Sequence, residues 1–183
     1  VEVTTAAELR AWLEANHGQE ASVWLVTYKK HMGPRYVSRE QVLDELLCFG
    51  WIDGLRRVLD DERTMQLISP RRHQRWAKSY KERVARLQRE GRMAPAGLAA
   101  IAESQRLGLW ESLADVDELL APDDLAAALS ANPPADTTFA AFAPSYRRNV
   151  LRWIAIAKTP ATRAKRIEQA ATLAAQGRKV PQL

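Results

Sequence analysis

The sequence predicts an α+β, helix-rich fold: a small antiparallel sheet of about three strands in the N-terminal half, with a C-terminal helical segment. Three observations lead there. At 183 residues and 46% hydrophobic content the chain is long enough to bury a real core. Its apolar period turns strand-like over 22 to 30 and again over 51 to 69, on either side of one helical stretch, and is helical after Pro70. Its glycines and prolines fall mostly at the ends of periodic stretches rather than inside them.

Residues 4 to 17 read as a helix, with Thr5 and Glu8 spaced as a capping box, Leu9, Trp12 and Leu13 on one face, and Gly18 as the stop. SVWLVTYKK, 22 to 30, is rich in β-branched and aromatic residues and predicts a strand, and HMGPR predicts a turn. Ser38 and Gln41 form a second capping box before VSREQVLDELLCFG, a helix that stacks Val42, Leu46 and Phe49 and ends at Gly50. WIDGLRRVLD and RTMQLIS, joined by the polar DDE, predict a β-hairpin over 51 to 69 with a bulge at Gly54. Ser69 and Pro70 then suit a helix start, and Trp76, Tyr80, Val84 and Leu87 line one face up to Gly91. MAPAGLAAIAESQRLG predicts another helix. The acidic ADVDELLAPDDLAAALSANPPAD, broken by prolines, reads as a joining region before helices at 145 to 158 and 161 to 176. This divides the chain into an α+β core domain, 1–110, and a helical C-terminal region, 111–183, packed on it or joined by an acidic linker.

Charge is unevenly placed. The formal net charge is +5, but between Arg56 and Arg92 twelve Lys/Arg face five Asp/Glu, whereas between Glu103 and Asp136 eight acids face one base. Two basic blocks flanking an acidic one favour an anionic partner: a phosphate, a carboxylate, an acidic protein surface or a nucleic acid. A mean hydropathy of −0.35 and the lack of any long apolar run predict no membrane span. No basic stretch followed by an apolar one opens the chain, which predicts no secretory signal and a cytoplasmic location. The lone Cys48, in LLCF, reads as a small buried hydrophobe.

The stretch FGWIDG, 49 to 54, sets one carboxylate, Asp53, among apolar residues near a strand start, where it needs a partner. Arg56, Arg57, Arg71 and Arg72 are the candidates, since arginine meets carboxylate in two-pronged geometry. SPRR, 69 to 72, sharpens this. Two arginines in a first helical turn oppose the helix dipole by ~0.3 to 1 kcal/mol each, so a negative group belongs nearby, either Asp53 or a bound anion. The predicted ligand-binding set is Trp51, Asp53, Arg56, Arg71, Arg72, Trp76 and Lys78, with Asp53 ordering the arginines and Trp76 as an aromatic wall.

FGWIDG, SPRR, RWAK, EGRMAPAGLAAI and the late YRRNVLRWIAIAKTPATRAKRI together resemble the bacteriocin-protection, YdeI/OmpD-associated proteins, over a span from about Trp24 to Lys179. The resemblance implies association with an outer-membrane porin and resistance to antimicrobial peptides. Around Trp76 the chain departs from the family pattern, with Gln74, Arg75, Ala77 and Tyr80 where serines and an asparagine are frequent.

Other chemistries find little footing. His17, His31 and His73 are scattered without partners at ligand spacing, so no metal is predicted. No phosphate loop, dinucleotide fingerprint or nucleophile elbow occurs, and no cofactor is predicted. Ser69, His73 and Asp53 are the residues from which a nucleophilic triad would be assembled, and Asp53 with Glu45 the pair for acid/base work. Nucleic-acid binding through the basic helix 70–90, carrying Arg72, Arg75, Lys78, Lys81, Arg86 and Arg89, is the main alternative to a small anion. Of the tryptophans, Trp12, Trp24 and Trp153 fall on apolar stripes.

Overall fold

A computed structural model describes residues 1–181. They form two compact units, Val1–Glu111 and one from Ser112 onward, each with its own apolar core. The α+β, helix-rich class is observed: one three-stranded antiparallel sheet lies in the first unit and the second is helical.

The first unit opens with helix α1 (Ala6–Asn16). Thr5 caps it through Glu8 N at 3.1 Å, while the Glu8 carboxylate reaches back to Thr4 rather than to Thr5. Strand β1 (Val23–Tyr28) is followed by a 3-10 segment at Lys30–Arg35 and then by α2 (Arg39–Cys48), whose Ser38–Gln41 capping box is complete. The hairpin is β2 (Trp51–Val58) and β3 (Arg63–Pro70), and the strand order is β1-β3-β2. Register slips between Asp53 and Arg56, the bulge expected around Gly54. Cross-strand partners share a face, so the pairings Asp53–Ile68 and Arg56–Gln66 put Asp53 on the side that carries the buried Ile68 and Gln66.

One expectation fails at this point. Helix α3 begins at Lys78 and runs to Arg89, not from Pro70. Ser69 and Pro70 instead pair with Ile52 and Trp51 as the last rungs of the ladder, and Arg71 N continues it by donating to Gly50 O at 2.8 Å. A backbone held in extended pairing cannot open a helix, and helical periodicity in the side chains did not outweigh the ladder. Helix α4 (Pro95–Arg106) follows. Its first turn lies on the end of α2: Ala94 N donates to Cys48 O at 3.0 Å, and a Cβ on Gly97 would stand 2.2 Å from that same oxygen.

Helix α2 is buried from Val42 to Cys48, and that run includes Asp44 and Glu45. Asp44 Oδ1 accepts from Arg83 and Arg86 of α3, both at 2.6 Å, and its Oδ2 accepts from Arg92 at 3.2 Å. Glu45 accepts from Arg92 at 2.6 Å and from Arg10 of α1 at 3.0 Å. Arg10 also donates to Arg92 O. Burial by itself would raise the Asp44 pKa, but the hydrogen bonds from Arg86 and Arg83 outweigh it and hold the carboxyl below its usual value.

The second unit contains α5 (Ala114–Asp117), α6 (Asp123–Ser130), α7 (Ala135–Ala141), α8 (Pro144–Ala155) and α9 (Pro160–Ala175). The acidic stretch read as a joining region is therefore folded, and it places Val116, Leu125 and Leu129 in the core with Val150, Ile154 and Ile167. The alternation of acids and prolines disguises three short amphipathic helices. Arg163 ties α9 to α6 through both oxygens of Asp124, at 2.6 and 2.8 Å. Among the described residues no helix is long and apolar enough to cross a membrane.

The Asp44 network sets an acid limit. A carboxyl whose folded pKa is depressed contributes stability that is complete above the unfolded value of about 3.9 and is lost as pH falls through the folded one. Urea unfolding of the wild type should weaken steeply below that pH. In Asp44→Asn the slope should be shallower, and stability at pH 7 lower by ~3 kcal/mol or more, since three arginines lose a charged acceptor.

Candidate functional site

Arg71 follows directly on β3, and the strand carries it inward: the residue is 8% exposed. Its guanidinium carbon lies 3.7 Å from the centre of the Trp76 ring and 5.5 Å from that of Tyr80. Nη2 donates to Arg75 O at 2.8 Å. Nε and Nη1 are buried and have no partner among the described residues, and the same holds for Trp76 Nε1. Trp76 is 1% exposed and leans on Trp110, centroids 4.8 Å apart. Lys81 lies over the Trp110 ring at 5.6 Å and pairs with Glu111 at 2.7 Å. A cation between aromatic faces gains roughly 2 kcal/mol when desolvated. That offsets only part of the several kcal/mol lost by taking a guanidinium out of water. Burial accordingly pushes the Arg71 pKa down to about 10, against the fields of Tyr80 and Asp53. The group is still a cation at neutral pH.

Asp53 is the carboxylate whose field acts on Arg71, yet no ion pair joins the two. Its Oδ1 accepts from the Tyr80 hydroxyl at 2.6 Å and its Oδ2 from Gln66 Nε2 at 3.2 Å. Arg39 of α2 approaches Oδ2 at 3.8 Å from the solvent side, its own side chain 62% exposed. Burial, and then the bond to Asp53, push the Tyr80 hydroxyl up to about 12, so it is a fixed donor. Asp53 thus positions Tyr80, and Tyr80 forms a wall beside Arg71.

The expected ligand set divides accordingly. Asp53, Arg71 and Trp76 come together, with Tyr80, Gln66 and Arg39 as members the sequence reading missed. Arg56 and Arg72 do not join them. Arg56 is exposed on the outer strand just past the bulge. Arg72 turns to the Glu20 carbonyl at 3.3 Å, with its backbone N–H held by Gln74 Oε1. The idea that Asp53 orders Arg56, Arg71 and Arg72 is therefore corrected: its acceptor sites are taken by a hydroxyl, an amide and an arginine from another helix. Trp51 is structural, 1% exposed, donating to His17 O at 3.1 Å and meeting Trp12 edge-on at 5.6 Å. Lys78 is exposed in the first turn of α3. With no helix at 70, the helix-dipole anion site at SPRR does not exist.

The other candidate chemistries change too. Ser69 pairs with Ile52, so it faces away from Asp53, which pairs with Ile68, and His73 is exposed; the three do not form a triad. Glu45 is enclosed by Arg10 and Arg92 rather than paired with Asp53. The basic face of α3 is engaged within the fold, with Arg83 and Arg86 on Asp44, Arg86 on Glu90 and Lys81 on Glu111. Tyr80 and Arg39 were legible only as an apolar-stripe tyrosine and a charged residue beside the Ser38 cap. Neither position signals an approach to Asp53.

Residues 1–100 match the family model described as a domain of unknown function (DUF8412), and residues 118–177 match the one described as Bacteriocin-protection, YdeI or OmpD-Associated. The chain belongs to the first family, whose model covers more than half its length, and its second unit is similar to the bacteriocin-protection, YdeI or OmpD-associated family over residues 118–177. That second match takes in the late motif YRRNVLRWIAIAKTPATRAKRI but not FGWIDG, SPRR or RWAK, which lie in the first. The resemblance expected from Trp24 onward is thus carried at its two ends by two different families. No curated protein and no solved structure matches the chain.

Tyr80→Phe should separate positioning from packing. The ring stays, Asp53 loses its shortest donor, and a hydrogen bond to a charged group contributes ~1.5 to 3 kcal/mol. Chemical denaturation should show a loss in that range, and a change below ~0.5 kcal/mol would mean that Asp53 is held by its other partners.

Proposed function

We propose that the first unit is a binding module for a small anion, anchored by Arg71. One observation carries the reading: a guanidinium more than nine-tenths buried, still cationic, with two nitrogens and the adjacent indole N–H lacking acceptors. Buried polar groups are almost always satisfied, and a charged donor set without acceptors invites a negative guest or ordered water. An anion would restore both the hydrogen bonds and the charge balance. Asp53 and Tyr80 order the aromatic wall and leave Arg71 Nε and Nη1 unengaged.

We further propose that this binding serves the protective role named for the family of the second unit, with the protein acting in the cytoplasm as its sequence suggests. The basic helix favours this reading over nucleic-acid binding, because Arg83 and Arg86 face carboxylates of their own fold.

Thermal unfolding at constant ionic strength tests the anchor. A panel of formate, acetate, bicarbonate, sulfate and phosphate should contain at least one anion that raises Tm by several degrees. A ligand at one hundred times its Kd adds about 2.7 kcal/mol. The rise should vanish in Arg71→Gln. Equal shifts in wild type and variant would reflect general salt effects and sink the reading. In cells, deletion of the gene should lower survival under a bacteriocin challenge, and Arg71→Gln should fail to restore it; unchanged survival on deletion would remove the protective role.

A further inference from the structure

We infer that the Arg71 site selects a small monocarboxylate over phosphate, an inference that rests on the anion-binding reading above. The site's donors, acceptors and charge all point the same way.

The nitrogens that lack partners, Arg71 Nε and Nη1 and Trp76 Nε1, are donors only. An ionised carboxylate is an acceptor only, with about four lone-pair positions on two oxygens, so every contact it makes here is satisfied on both sides. Phosphate as a monoanion also brings hydroxyls that must donate. The oxygens within the cluster each hold a donor already: Asp53 Oδ1 accepts from Tyr80, Asp53 Oδ2 from Gln66 with Arg39 beside it, and Arg75 O from Arg71 Nη2. A phosphate hydroxyl has to crowd onto one of these bonded oxygens beside its existing donor, or else be buried unsatisfied at a cost of ~1 to 3 kcal/mol.

Charge agrees. Arg71 and Arg39 are two cations and Asp53 one carboxylate, which leaves a single positive charge, and Arg39 is largely in solvent. A monoanion closes that balance. A phosphate dianion overshoots it and places its second charge in the field of Asp53, whose coupling to Arg71 is already felt. Burial points the same way: Arg71 keeps only 8% of its surface and Trp76 1%, so a smaller anion displaces less of the packing around them.

The test uses the full chain and the probes sodium formate, sodium acetate and inorganic phosphate, at constant ionic strength. Indole N–H resonances are followed by NMR, with that of Trp76 assigned from its loss in Trp76→Phe, and affinities are taken from isothermal titration. Acetate or formate should move the Trp76 indole signal saturably and bind at least about tenfold more tightly than phosphate, the equivalent of one unsatisfied group. Trp76→Phe keeps the ring over the guanidinium and removes one donor, so it should weaken carboxylate binding several-fold, and Arg71→Lys should abolish it. Phosphate binding as tightly as acetate, with the same resonance moving, would overturn the selectivity and leave the anion site standing. No saturable shift with any of the three would overturn both. If Arg71→Lys does not fold, the wild-type titrations and Trp76→Phe still decide.

Discussion

Two carboxylates buried on one helix govern the first unit. Helix α2 has no solvent face from Val42 to Cys48, so Asp44 and Glu45 are enclosed whichever way it turns. An unpaired carboxylate there would cost several kcal/mol, and the chain meets that demand with arginines from three separate places: Arg10 on α1, Arg83 and Arg86 on α3, and Arg92 beyond it. Each arginine is only partly exposed, and each anchors the element that carries it. The packing of α1 and α3 around α2 follows from electrostatic necessity as much as from the apolar stripe. Buried ion networks in general tolerate replacement by well-packed apolar side chains without loss of stability. Their contribution is geometric, because guanidinium forks accept only a narrow range of helix positions.

The same logic makes Arg71 conspicuous. In the α2 network every buried charge meets its opposite, so the fold has the means to neutralise an arginine. At the end of β3 it does not do so. The one carboxylate coupled to Arg71 is turned toward a tyrosine, a glutamine and an exposed arginine, and the guanidinium is left against aromatic faces with donors unused. Aromatic walls stabilise a cation without consuming its hydrogen-bonding capacity, which is the property a binding anchor needs. A salt bridge in the same place would have stabilised the fold and closed the site.

The two units divide the lineage of the protein. The sheet, α2 and Arg71 fall in a family without an assigned role, and the helices from Asp123 onward in a stretch similar to one described by bacteriocin protection. The motifs that prompted the resemblance are distributed over both. A function inferred from one family label therefore does not automatically extend to the site in the other, and the anion reading of Arg71 stands on geometry alone.

Much of the architecture was readable from local chemistry. The capping box at Ser38–Gln41, the hairpin around DDE and the bulge at Gly54 each depend on a few adjacent residues, and each is present. The importance of Asp53, Arg71 and Trp76 was legible as well, because a carboxylate among apolar residues and doubled arginines are anomalies wherever they occur. What the linear order could not supply was which partner each one finds. The Pro70 helix failed because Ser69 and Pro70 are claimed by a ladder to residues 51 and 52, and such pairing is invisible to local periodicity. Arg39 and Tyr80 reach Asp53 across 14 and 27 positions, and the matching of Asp44 and Glu45 with four arginines spans still longer separations. Side-chain type declares a need for a counter-charge or a hydrogen bond; only the closed fold, by bringing distant segments within 3 Å of each other, determines which group answers it and which, like Arg71, is left with donors to offer.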